Sequence, residues 1–328
     1  LCSFNTTKAE EYFSLSKSIR QNYPKISLAC GGPHPSARSE DCLQYFDTVC
    51  IGEGELSLKE IVDAFDRGES LGIIHGKRLE DLSLFPVFPR RHIQFGPLEI
   101  TRGCPGFCHY CQTPQLFKGK VRHRSVDAIV SDIEFCLQSK PRPMDARFIT
   151  SDATFYEYNN GVNLGKIEEL LAAVRKTVGP EGRIFYGSFP SEFDPSRVTP
   201  ELIELMAKYC DNKSVVIGMQ SGSEKMLKRM NRRATVEDAT RAAHLLMNAG
   251  YDVVVDLIFG LPYEDDETVH DTVKWIEERK HKVTIHAHPF FPMPGSAWEY
   301  EQATPVPEHL LKLLRSIEGG GRIFGKYI

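Results

Sequence analysis

Apolar and polar positions change their period several times along this chain, and each change marks an element. Over residues 8–23, Tyr12, Phe13, Leu15 and Ile19 recur near helical spacing and predict a helix. The run Ile26-Ser-Leu-Ala-Cys30 reads as a short strand, ended by Gly31-Gly32-Pro33. A helix, a strand over residues 48–51, the loop Gly52-Glu53-Gly54-Glu55 and a helix over 56–65 follow. Strands alternating with helices, with glycine loops at the strand ends, predict an open parallel sheet whose ligand lies over those loops. Over residues 75–97 no period is sustained, and the prolines of Leu82-Ser-Leu-Phe-Pro-Val-Phe-Pro-Arg-Arg mark a linker, with Phe85 and Phe88 packed against one domain. Apolar runs then return at residues 98–101, 146–150, 183–189, 215–219, 253–259 and 283–287, with helical segments between them. Six such strands predict a partial (β/α)6 barrel, in which chemistry gathers at the C-terminal strand ends. A last helix is expected over 308–317, stopped by Gly319-Gly-Gly321, as a tail that caps the barrel's open side.

The loop after the first barrel strand carries the densest chemistry. Thr101-Arg-Gly-Cys104-Pro-Gly-Phe-Cys108-His-Tyr-Cys111 places three cysteines at a C-x3-C-x2-C spacing, with Gly103, Pro105 and Gly106 able to wrap the chain around a small object. A structural zinc ion needs a fourth protein ligand, and the local candidate, His109, is adjacent to Cys108, where it reaches the same ion poorly. A disulfide would leave one thiol over. An iron-sulfur cluster is the natural guest, and three thiolates leave one iron of a 4Fe-4S cluster open. Zinc and simply packed thiols remain as alternatives on spacing alone.

Composition narrows the classes. Forty basic against 44 acidic residues in a chain of 328 give a net charge of -4, which argues against a dedicated nucleic-acid surface. No apolar run approaches the ~20 residues needed to span a bilayer, so a soluble protein is expected. The first residue is Leu1 and no signal peptide precedes it, so the chain is expected to begin inside a longer protein. The six cysteines outside the loop, Cys2, Cys30, Cys42, Cys50, Cys136 and Cys210, are scattered. Free thiols and an oxygen-labile cluster both fit a reducing cytoplasm.

The cysteine loop, with Tyr110 just before its last cysteine, resembles the signature of the radical S-adenosylmethionine (SAM) superfamily. Three further blocks resemble the family in order: Val215-Val-Ile-Gly-Met-Gln220-Ser221-Gly222 with the helix after it, Asp256-Leu-Ile-Phe-Gly260-Leu261-Pro262, and Phe291-Pro-Met-Pro-Gly295-Ser. The resemblance implies a 4Fe-4S cluster on Cys104, Cys108 and Cys111 whose open iron binds SAM and reduces it, yielding methionine and a 5'-deoxyadenosyl radical. It also implies SAM contacts from Tyr110, Asp152, Ser188, Gln220, Ser221, Gly222 and either Arg232 or Arg233. An electron donor such as a ferredoxin or flavodoxin is implied as partner.

Upstream, Gly31-Gly-Pro-His-Pro-Ser and Ile51-Gly-Glu-Gly-Glu resemble the second half of the cobalamin-binding domain of one large radical SAM subgroup. That resemblance implies cobalamin contacts from Thr7, Gly31, Gly32, Pro33, Gly52, Glu53 and Gly54. It divides the chain into a Rossmann-like cobalamin-binding part (1–74), a linker (75–97), the radical SAM barrel (98–300) and a tail (301–328). The D-x-H-x-x-G motif that supplies a lower cobalt ligand in many cobalamin proteins is missing from these 328 residues. Either it lies upstream or cobalt has no histidine beneath it, as in many members of the subgroup; His34, between two prolines, reads as a loop residue. The expected activity is methyl transfer to an unactivated carbon, with a protein residue as a candidate acceptor by analogy with enzymes that modify methyl-coenzyme M reductase, or a small molecule. Rearrangement or cyclisation is the enzymatic alternative. A methylthiotransferase normally holds a second cluster on three grouped N-terminal cysteines, and Cys2, Cys30, Cys42 and Cys50 show no such grouping. A cobalamin or iron-sulfur sensor would not need the SAM-site residues.

Overall fold

A computed structural model describes residues 1–91, 94–140 and 143–327. The N-terminal segment forms four parallel strands in sequence order, β1 (Cys2–Ser3), β2 (Ala29–Gly31), β3 (Thr48–Ile51) and β4 (Gly72–His75). Between them run α1 (Ala9–Asn22), the short α2 (Pro33–Ala37) and α3 (Ser39–Leu43), and α4 (Leu58–Asp66). Side chains alternate across a strand, so register decides which core each joins. Cys2 lies opposite Cys30 and Cys30 opposite Val49, and all three join a core with Phe4, Phe13, Cys42 and Phe46. Cys50, one residue on, packs with Ala29 and Ile61 in a separate core.

The remaining chain alternates strand and helix. Its elements are β5 (Leu98–Glu99), β6 (Thr101–Arg102), α5 (Thr113–Leu116), β7 (Arg122–His123), α6 (Val126–Ser139), β8 (Asp145–Ile149), α7 (Leu164–Val178) and β9 (Arg183–Phe185). They continue through α8 (Pro200–Tyr209), β10 (Ser214–Gln220), α9 (Glu224–Arg229), α10 (Val236–Asn248), β11 (Asp252–Phe259), α11 (Asp266–Arg279), β12 (Thr284–Pro289), α12 (Glu308–Gly319) and β13 (Ile323–Gly325). Local chemistry starts the helices where they start. Ser125 and Thr199 accept backbone N–H bonds at the N-termini of α6 and α8, and Thr235 with Asp238, and Asp265 with Thr268, form capping boxes for α10 and α11.

Two parallel sheets, β5-β8-β9 and β10-β11-β12-β13, form the expected open barrel. Bonds from Val216 N to Gly187 O (2.8 Å) and Phe193 N to Val216 O (3.0 Å) stitch them together. A single core fills the space between strands and helices, from Leu98 and Ile100 through Val255 and Ile285 to Leu314. The strand expected over 183–189 ends at Phe185, because Gly187 turns at φ +67° and the Phe193 ring lies where its side chain would be. The segment 98–101 divides at Ile100, after which β6 swings away to pair antiparallel with β7. The tail is no cap. Helix α12 buries Leu310, Leu313, Leu314 and Ile317 against the barrel core, and β13 adds a further parallel strand beside β12. Among the described residues, no helix is long and apolar enough to cross a membrane.

Candidate active site

The cysteine loop occupies the connection between β6 and β7, over the C-terminal ends of the barrel strands. Gly103 opens it at φ +94°, and a Cβ there would meet Lys120 O at 1.9 Å, so only glycine lets the strands of this hairpin close. The far side of the loop is anchored to the segment after α9, where His109 N donates to Met230 O (2.9 Å) and Asn231 Nδ2 to Phe107 O (2.9 Å). Cys104, Cys108 and Cys111 then line one cavity of about 190 Å3 with Tyr110, Asp152, Gly218, Gln220, Arg232, Arg233 and Asp256. The thiols fit a shared metal cluster. A Cβ on Gly106 would stand 3.3 Å from Cys104 Sγ and 3.7 Å from Cys108 Sγ, so the glycine keeps the space beside both sulfurs clear. Burial raises the thiol pKa of Cys104 and Cys111, which makes a positively charged guest the means of holding them as thiolates.

Opposite the thiols, β10 ends in an irregular backbone. Its register with β11 slips between Gly218 and Gln220, and Gln220 sits at φ +79°. Gly218 has no side chain to obstruct its neighbours: a Cβ there would lie 2.9 Å from Gln220 Nε2 and 3.3 Å from Arg232 Nη2. Arg232 donates to Gly218 O and lies 3.8 Å from Asp194, while its Nε is buried without a partner. Burial works against its charge, yet Tyr110, Asp194 and Cys108 hold the guanidinium above the ordinary arginine range. A fixed cation with an unspent donor is suited to a carboxylate ligand. Arg233 is exposed and spends its Nη2 on Pro105 O at 3.2 Å.

Asp152 faces the same cavity but is committed to the protein. It pairs with Arg197, accepts from Thr154 N (2.9 Å), Thr154 Oγ1 (2.7 Å) and Asp194 N (3.3 Å), and its carboxyl is pushed up by burial and by Asp194. Ser188 lies elsewhere, in a separate cavity with Phe189, His286 and Phe324. Gly222 is turned into packing against α11, where its N donates to Thr272 Oγ1 (3.2 Å) and a Cβ would stand 2.6 Å from Thr272 Cα, while Ser221 is buried and its Oγ accepts from Ser223 N (3.3 Å). Sequence reasoning passed over Glu192, Asp194 and Arg197, which line the thiol cavity. The turn Asp194-Pro-Ser-Arg197, with an aspartate capping a short helix, was the available signal.

A second cavity of about 890 Å3 separates the N-terminal sheet from the barrel. Gly31, Gly32, Pro33, Gly52, Glu53 and Gly54 all line it, facing Glu99, Arg102, Leu116, Phe117 and Ile149 of the barrel. Its size suits a large cofactor. Gly32, at φ +97°, has Ser3 Oγ 2.7 Å from where a Cβ would be, so the loop closes tightly against β1. Thr7 is exposed and bonds Asn5 Oδ1 (2.8 Å), outside the cavity. His34 is buried in α2, with Thr6 Oγ1 3.2 Å from Nδ1 and the rings of Phe4 and Phe13 around it. Glu53 reaches across to the barrel: it takes two bonds from Arg122 (2.6 and 2.9 Å) and one from Arg102 (2.9 Å). Although burial opposes it, Arg122 and the Leu79 N–H hold this carboxyl below the usual carboxylate range.

Comparison with known proteins agrees with this layout. A sequence model described as the Radical SAM superfamily matches residues 98–276. A tRNA-2-methylthio-N(6)-dimethylallyladenosine synthase of Thermosipho africanus is 28% identical over 301 residues, covering 89% of this chain and 67% of its own length. A putative methylthiotransferase of Methanocaldococcus jannaschii is 26% identical, covering 78% and 58%. Among solved structures, the radical SAM methyltransferase TsrM from Kitasatospora setae, with cobalamin and a [4Fe-4S] cluster bound, matches at TM-score 0.66 and 17% identity over 89% of this chain and 62% of that one. The cobalamin-dependent SAM radical enzyme OxsB with aqua-cobalamin bound matches at 0.66 and 17% over 99% and 49%. The chain thus spans half to two thirds of the length of these proteins. The structural likeness extends through the N-terminal sheet as well as the barrel, and is one of fold. With three cysteines gathered at one cavity in the mouth of the barrel and the match covering more than half of the sequence, the chain belongs to the radical SAM superfamily, whose enzymes work with a 4Fe-4S cluster and SAM.

Proposed function

We propose that this chain is a cobalamin-dependent radical SAM methyltransferase acting on an unactivated carbon. The observation that carries the reading is the 890 Å3 cavity, bounded on one side by the glycine loops after β2 and β3 and on the other by the barrel next to the cysteine loop. When bound, the cluster and SAM supply a hydrogen-abstracting radical and cobalamin supplies the methyl group. The protein's share is placement. Cys104, Cys108 and Cys111 hold the cluster, Arg232 and Gln220 hold SAM, and Tyr110, largely enclosed beside Cys108, shields it from water. Asp152, through Arg197 and Asp194, keeps the opposite wall rigid. In the second cavity the backbones of Gly31, Gly32, Gly52 and Gly54 allow close approach, while Glu53 is kept anionic by its arginines and braces the wall. His34, packed among aromatics, is not the residue we assign beneath cobalt. The acceptor class, protein residue or small molecule, and the electron donor belong to the same proposal.

Sequence kinship favours a second reading, a methylthiotransferase. Less in its favour is the packing of the N-terminal cysteines: all three border the 890 Å3 cavity, but Cys2 and Cys30 join one apolar core and Cys50 another, and Cys30 and Cys50 are buried. Anaerobic reconstitution with iron, sulfide and hydroxocobalamin, followed by metal counting, decides between them. About four irons and one cobalt per chain are expected. About eight irons with no cobalt would sink the proposal in favour of methylthio transfer. Four irons without cobalt would leave a radical SAM enzyme of another reaction.

A further inference from the structure

Three donor atoms converge on one point of the barrel wall, and neither reading above uses them. Asp256 is near the middle of β11, and its parallel partner on β12 is His286; His288, two residues on, projects to the same face. Asp256 Oδ1 lies 2.8 Å from His286 Nδ1, His288 Nε2 lies 3.2 Å from the same Nδ1, and Asp256 Oδ1 and His288 Nε2 are 3.7 Å apart. An ion with bonds of ~2.1 Å holds its donors roughly 3.0 Å apart in octahedral and 3.4 Å apart in tetrahedral coordination, so these three separations bracket one face of a coordination shell.

Hydrogen bonding alone accounts for the arrangement poorly. A ring nitrogen has one in-plane position, filled either by a proton or by a lone pair. If His286 Nδ1 carries a proton for Asp256, it has nothing to offer His288; if it accepts from His288, it faces the carboxylate with a lone pair. A cation at the common point satisfies all three atoms at once. The surroundings are already fixed for it: Phe324 stacks on the His286 ring at 4.4 Å, and Asp256 is buried. Glu192 lines the same cavity wall as Asp256.

We propose that Asp256, His286 and His288 bind one divalent transition-metal ion of the zinc or ferrous type, distinct from the cluster. Two imidazoles and one carboxylate suit such borderline ions better than magnesium or calcium. Three protein donors leave a position free, and Asp256 also lines the cavity of the cluster cysteines. The ion is therefore suited to hold an oxygen or nitrogen of the substrate beside the SAM site. The site is independent of whether cobalamin is bound.

Zinc is the probe for the test. Protein purified anaerobically with its cluster is stripped with a chelator, titrated with Zn2+ by calorimetry and assayed for zinc, iron and sulfide by mass spectrometry and colorimetry. About one zinc per chain is expected, with iron and sulfide unchanged. Asp256→Asn and His288→Gln, which remove direct ligands, should each weaken binding by at least the roughly tenfold that loss of an outer-shell partner costs. His288 is partly exposed, so its variant keeps the test decisive if loss of the buried Asp256 impairs folding; zinc should also raise the melting temperature of the native chain and not of His288→Gln. A Cys104→Ser, Cys108→Ser, Cys111→Ser triple variant should still bind zinc. Absence of zinc binding in the native chain, its retention in both triad variants, or its loss in the cysteine variant would overturn the assignment.

Discussion

Gln220 stands at φ +79° without being glycine, and such a conformation persists only where the surroundings enforce it. Gly218 and Arg232 are the surroundings. Gly218→Ala places a methyl group 2.9 Å from the Gln220 amide and 3.3 Å from the Arg232 guanidinium, so both must move. SAM affinity, read by calorimetry on the reconstituted enzyme, should fall by about tenfold or more while iron content stays at the native level. Loss of iron together with SAM binding would mean that the glycine serves the fold and not the site. Glu264 offers a test in pH. Its partly buried carboxyl is pushed up to about 7 by desolvation, although it accepts from Leu261 N at 3.1 Å. Because the folded-state value lies above that of the unfolded chain, this contribution to stability is full below about pH 4.5 and is lost as pH rises through 7. Glu264→Gln should flatten the decline in thermal stability over that window; an unchanged pH profile would refute the assignment. At this scale the sequence was legible where chemistry repeats a spacing, as in the three cysteines. It was illegible where a side chain's direction decides its role. Ser221 and Gly222 follow Gln220 immediately, yet beyond the irregular end of β10 Ser221 is buried and Gly222 packs on α11, while Gln220 faces the cavity.

The cysteine loop is an element defined by its fastenings. It has little regular structure beyond a short helix, and its shape is set by Gly103 at one end and by Met230, Asn231 and Trp298 along the other. Gly103→Ala imposes a positive-φ cost of about 1–3 kcal/mol on top of a clash with Lys120 O. Iron bound after reconstitution should drop to well under half of the native amount, whereas full iron content would show that the loop adapts. Periodicity located nearly every long element because amphipathic strands and helices advertise themselves: α1, β3, α4 and α12 lie within a few residues of their expected places. Very short strands carry too few residues for a period. β1, β7 and β13, of two or three residues each, are held by register with a neighbour and were invisible for that reason.

Across the whole molecule, the N-terminal sheet and the barrel meet through a buried ionic group centred on Glu53. Its carboxylate serves Arg122 and Arg102, and Arg102 also pairs with Glu55 (2.7 Å) and Glu99 (2.8 Å). Removing one member of such a group strands the others, at a cost of about 3–5 kcal/mol. Glu53→Gln should therefore lower the melting temperature by several degrees and increase proteolysis within 75–97; an unchanged melt would show that the clamp contributes little. None of this was legible in Ile51-Gly-Glu-Gly-Glu, because a glutamate in a glycine loop looks the same whether it meets a ligand or an arginine more than forty residues away.

The positions of those two arginines carry a consequence of their own. Arg102 and Arg122 are partners in the β6–β7 hairpin, and all three cluster cysteines lie in the excursion between them. The roots of the metal loop are thus tied by one carboxylate to the wall of the neighbouring chamber. If this tie orders both chambers together, filling one lowers the entropic cost of filling the other, and thermodynamic reciprocity makes that benefit equal in both directions. If the chain binds cobalamin as proposed, air-oxidised protein that has shed its iron should accordingly bind corrinoid more weakly at equilibrium than intact protein, as two tenants on one lease leave together.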